Sequence, residues 1–159
     1  MRNDALRLSA RHRAWFYGAF AALWVSGVAW LALHWWVARH DADAMPDSSE
    51  PWLLNVHGAA AMLALILFGT LIPLHVRPGW RARRNRRTGA TMVGVAGALM
   101  VTGYGLYYAG GESLRTLTRY VHDGVGTALP LVVAWHVWRG RRSRTLRRRT
   151  LAGTPVSEP

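Results

Sequence analysis

Histidine is the residue type in this chain whose placement points to chemistry. Seven occur, at positions 12, 34, 40, 57, 75, 122 and 136. His12 and His40 lie in polar flanks. The other five lie within or at the ends of long apolar runs, as in RYVHDGVGTALPLVVAWHVWRG, Arg119–Gly140, with a histidine near each end. A neutral imidazole offers one N–H and one lone pair, so it can ligate a metal. An imidazole at membrane depth is costly unless it faces a partner. Taken singly, His57, His75, His122 and His136 each sit within a turn or two of a run's end. There an imidazole also reaches headgroups or water at little cost. The chain has no Cys. That excludes disulfides, iron–sulfur ligation and thioether-attached haem.

The elements that position these histidines are four apolar runs: Ala14–Val37, Trp52–Val76, Gly89–Tyr108 and Val121–Trp138. Each is long enough for a helix across a hydrocarbon core of about 30 Å. Asp123 is the one acid among them, and none holds Lys, Arg or Glu. Backbone in lipid must satisfy its own hydrogen bonds, so runs of this length are expected to be helices. The expected fold is all-α: an up-down-up-down four-helix membrane bundle over 14–138, between a basic segment 1–13 and an Arg-rich tail 139–159. The first run does not read as a signal peptide. It is long, carries Trp throughout and is followed by no small-residue cleavage pattern.

Charge gives the expected orientation. The chain carries a formal +12, and all its basic residues are Arg. They cluster before the first run (Arg2, Arg7, Arg11, Arg13), in RPGWRARRNRRT between the second and third, and after the fourth from Arg139 to Arg149. The other two connections hold only Arg39, Arg115 and Arg119, with Asp41, Asp43, Asp47, Glu50 and Glu112. The positive-inside rule therefore places both termini in the cytoplasm. The run RGRRSRTLRRR follows a membrane helix directly. Topology and anionic lipid explain it without nucleic acid, and no nucleic-acid partner is expected.

This topology pairs the histidines. The second and fourth helices run parallel, so His57 and His122 share the outer level and His75 and His136 the inner one. Eighteen residues of helix make about five full turns, and fourteen end about 40° short of four, so both histidines of each helix share a face. Two imidazoles facing each other across a bundle suit the axial positions of haem iron. Zinc or copper calls for three or four ligands at one point, with His34 the candidate third at the outer level. Gly89, Gly94, Gly97, Gly103 and Gly105 in the third helix, with Gly58, Gly124 and Gly126, offer room for a wide porphyrin. Small residues also serve ordinary membrane-helix packing. Arg115 and Arg119, ahead of His122, are candidates to meet haem propionates at the outer level. The rises along the two helices differ by about 6 Å. Pro73 and Pro130 are the local means of absorbing that difference, and the inner pair, His75 with His136, is the less secure.

The segments HGAAAMLALILFGTLIPLHVRPGWRARRNRRTG and TGYGLYYAGGESLRTLTRYVHDGVGTALPLVVAWHVWRG resemble the bacterial cytochrome b561-like membrane cytochromes, over about Trp52 to Gly140. The closest likeness is to a small prokaryotic branch labelled as a domain of unknown function. The resemblance implies a bacterial inner membrane location and non-covalent haem b, one or two per chain. His57 and His122 would ligate the outer iron, and His75 and His136 the inner one. It also implies electron transfer between quinol and a partner protein. A fourteen-residue spacing is typical of dihaem helices in that group, and eighteen departs from it.

The expected function is thus a haem b electron-transfer subunit, rather than a stand-alone catalyst. A cofactor-free membrane anchor or assembly factor for a redox complex would show the same topology. A small transporter fits less well, with no intramembrane charge pair and few helices.

Overall fold

The computed structural model describes residues 9–40, 49–83 and 85–152. Asp41, Asp43 and Asp47, expected in the first connection, lie outside the described residues, as do Arg2, Arg7 and Arg84. The elements are α1 (Ala10–His40), α2 (Ser49–Leu71), a π turn (Ile72–Val76), α3 (Arg77–Arg81), α4 (Arg86–Tyr108) and α5 (Glu112–Ala152). No strand occurs among the described residues.

Three helical rods are long and apolar enough to cross a membrane: α1, the continuous rod Ser49–Arg81 and α4. The sequence reading expects four. The longest helix, α5, has 41 residues with Pro130 inside it. Its middle is diluted by His122, Asp123, Gly124, Gly126 and His136, so apolarity alone does not mark it as a span. The basic tail expected beyond Trp138 continues this helix as far as Ala152.

Local chemistry explains the punctuation. Pro51 falls in the first turn of α2, where its missing N–H deprives no carbonyl of a partner. Glu50 and Glu112 sit in the first turns of α2 and α5, where negative charge suits the helix dipole. The α4–α5 connection is short and turns at Gly111, whose φ of +87° favours glycine. The α3–α4 turn places Asn85 in the left-handed region, φ 48°, which asparagine tolerates. Pro73 lies within the π turn and Pro78 just after it. Proline donates no backbone hydrogen bond, so the α ladder loses a rung at each. Between them the Arg77 N–H reaches back five residues to the Ile72 carbonyl, widening the turn that holds His75.

Contacts between the rods fix their directions. His57 meets Leu23, and Thr70 meets His12, so α1 and α2 are antiparallel. Thr102 meets His122, and Thr88 meets His136, so α4 and α5 are antiparallel. His57 meets His122, and His75 meets His136, so the second rod and α5 are parallel. α1 packs along α2, and α4 along α5, whereas the described backbones of α2 and α5 share no extended close approach. The imidazoles bridge that separation. Trp24 Nε1 also donates to the Thr127 carbonyl, at 3.4 Å, tying α1 to α5.

Few side chains are buried: Ala19, Ser26, Glu50, Ala60, Leu71 and Thr88. Small residues among them suit close helix approach in lipid. Most large apolar side chains face outward, as a lipid-facing surface requires.

Candidate functional site: two facing histidine pairs

The structure brings His57 and His122 together with ring centroids 6.3 Å apart and planes at 80°. It brings His75 and His136 together at 6.2 Å and 79°. The two levels are near replicas of one another. The eighteen-residue spacing of α2 therefore meets the fourteen-residue spacing of α5 after all. The π turn carrying His75 takes up part of the difference, because its wider turn rises less per residue.

These separations have a chemical meaning. Atoms of a five-membered ring with bonds near 1.35 Å lie about 1.15 Å from its centroid. A metal–imidazole bond is about 2.0–2.1 Å. Each separation would leave room for one metal ion, held by His57 with His122 or by His75 with His136. Edge-to-face contact of the two rings spans the same range, about 4.5–7 Å between centroids.

Hydrogen bonds to the rings fix which nitrogen is available. Thr102 Oγ1 gives its proton to the Ala98 carbonyl, at 2.7 Å, so it accepts from His122 Nδ1, at 2.9 Å. Thr88 Oγ1 gives its proton to the Asn85 carbonyl, at 3.1 Å, and accepts from His136 Nδ1, at 3.1 Å. His57 Nδ1 donates to the Leu23 carbonyl of α1, at 3.0 Å, with Ser26 Oγ at 3.2 Å. In all three the proton is assigned to Nδ1 by its acceptor, which leaves the lone pair on Nε2. Ligating histidines are characteristically oriented by such a donated bond.

Sequence reasoning passed over these partners. Thr88 and Thr102 are fourteen residues apart, the spacing of His122 and His136, and each is followed by glycine. That repeated TG on an antiparallel neighbour was the readable signal. In α1 the signal was the pair Ser26–Gly27 inside a Trp-rich run. A β-carbon at Gly27 would lie 2.8 Å from His57 Cε1, and one at Gly103 would lie 3.4 Å from His122 Cε1. By contrast, a β-carbon at Gly58, Gly89, Gly94, Gly97 or Gly124 would meet nothing within 4 Å. Close helix packing does not account for those five.

His34 does not join the first pair. It stacks on Trp30, centroids 4.9 Å apart, and bonds Glu50 Oε2 through Nδ1 at 3.4 Å. Arg115 and Arg119 are both exposed on α5, and the Arg119 guanidinium lies 5.5 Å from the Tyr120 ring centroid. Among the described residues no group of three or more His, Cys, Asp or Glu converges to hold a metal ion. What converges is two imidazoles, twice. Comparison with family models, curated proteins and solved structures finds no match for this chain.

Proposed function

We propose that this chain is a membrane b-type cytochrome of the cytochrome b561-like kind, an electron-transfer subunit of a bacterial inner membrane. Four helices cross in an up-down-up-down bundle, with both termini and the Arg-rich connection in the cytoplasm. His57 with His122, and His75 with His136, hold one haem b each between α2 and α5. The observation that carries this reading is the matched pair geometry, 6.3 and 6.2 Å. The donor set fits haem: two imidazoles per level, with His57, His122 and His136 oriented through Nδ1. The separation of the α2 and α5 backbones and the glycines open at their β-carbon positions support it further. Bound there, haem supplies one-electron chemistry at its iron. The chain's part is to aim Nε2, exclude water with apolar helices and offer Arg115 and Arg119 as cations for propionates. Quinol on one side and a redox partner protein on the other complete the proposed path.

The test is a spectrum of the purified protein. Dithionite-reduced minus oxidised spectra are expected to show b-type bands, and acid–acetone is expected to extract the haem. A colourless protein from haem-replete cells overturns the reading in favour of a cofactor-free anchor.

A further inference from the structure

We propose that the arginine-rich end of the molecule, with the projecting end of α5, docks an acidic soluble protein rather than lipid headgroups. This rests on α5 crossing the membrane as described above, but not on haem. Every carboxylate among the described residues, Glu50, Glu112 and Asp123, lies toward the opposite end. Among the described residues, arginines therefore dominate this end without countercharge. Two of them mark the membrane border: Arg86 over Trp80 at 5.2 Å and Arg142 over Trp138 at 5.6 Å. Tryptophan favours that interface.

Beyond the border α5 does not stop. Asn85 Nδ2 donates to Ser143 Oγ, at 3.4 Å, tying the helix to the α3–α4 turn. The helix then continues unbroken to Ala152. At 1.5 Å per residue, Ala152 lies about 21 Å past Trp138 along the axis. The headgroup layer is only about 5–8 Å deep on each side. Arg144, Arg147, Arg148 and Arg149 thus occupy a part of the helix that has left the headgroups. Screening confines their field to about 8 Å at physiological salt. The counterpart they fit is a negatively charged surface arriving from solution. The His75/His136 level lies on this side of the molecule, so a partner seated here is close to it.

The test uses the full chain in nanodiscs of phosphatidylcholine alone, with an acidic flavodoxin as probe. The wild type is expected to bind it with an affinity that falls steeply with salt. R144Q/R147Q/R148Q/R149Q is expected to bind at least about tenfold more weakly, with Arg139, Arg141 and Arg142 kept to hold topology. Equal binding by the variant, or no binding by the wild type, overturns the proposal. The chain has no Cys, so T150C takes a single nitroxide label. Water-like accessibility in nanodiscs containing phosphatidylglycerol is expected. A label at headgroup depth there overturns docking in favour of lipid. A cytoplasmic reporter after Pro159 identifies, separately, a failure of the membrane topology itself.

Discussion

Gly27 of α1 and the ring of His57 on α2 touch so closely that a side chain on the glycine would force one of them to shift. A β-carbon there would lie 2.8 Å from His57 Cε1 and 3.1 Å from Nδ1. The same turn of α1 presents the Leu23 carbonyl that accepts from His57 Nδ1. One helix with no histidine in either pair therefore sets the orientation of one member. The first expected outcome concerns this notch. Gly27→Ala overpacks it, at a cost of about 1–3 kcal/mol. Haem titration of the apoprotein should show the His57/His122 site weakened about fivefold to a hundredfold, with the His75/His136 site unchanged. Gly18→Ala, on the same helix with nothing within 4 Å of its β-carbon position, should leave both sites as they are.

The threonines of α4 give a second prediction. Thr102→Val keeps the shape and removes the acceptor for His122 Nδ1, and Thr88→Val does the same for His136. Losing such a partner typically costs 10–100-fold in metal affinity. Thr102→Val should weaken only the first site and Thr88→Val only the second. The serine variants, which restore the hydroxyl, should recover most of the loss. Thr88 is also buried, 2% exposed, so Thr88→Val should be checked for helical content by circular dichroism.

Topology supplies a third. An alkaline phosphatase fusion after Pro159 should be inactive and one near Ser48 active, while a green fluorescent protein fusion should glow only after Pro159. The opposite pattern reverses the inside and outside assignments drawn from the arginine distribution.

Much of the architecture was legible in the sequence. Three of the four expected spans meet the requirement for length and apolarity, and the parallel course of the second and fourth helices follows from counting crossings. The two histidine pairs follow from that course plus helical phase. The fit of the His75/His136 level was not legible. Helical phase assumes an α-helix throughout, and the π turn between Leu71 and Arg77 breaks that assumption. Pro73 and Pro78 were visible, but proline announces a break in the ladder without saying how the chain closes it. His34 was a candidate by depth. Its engagement with Trp30 and Glu50 depends on where α2 begins, and helix ends are the part of a sequence reading that apolarity fixes least. The hydrogen-bond partners of the rings were missed for another reason. Threonine and glycine are common in membrane helices, and their roles emerge only against the histidines they face.

His34 gives the fourth prediction. Because it is held by Trp30 and Glu50 away from the first pair, His34→Ala should keep the full haem complement and leave both b-type bands in place. Loss of one haem in this variant would mean that α1 supplies a ligand and that the His57 assignment is wrong.

If each level is one haem site made of two imidazoles, haem stoichiometry tests it most directly. Haem per chain should be measured by pyridine haemochrome on wild type, the four single alanine variants at His57, His75, His122 and His136, and the two double variants within pairs. The wild type should bind two. His57→Ala and His122→Ala should each lose the same haem, and their double variant should lose no more, because both remove one site. His75→Ala and His136→Ala should behave likewise for the other haem. Additive losses within a pair, or a wild type that binds none, would contradict the account.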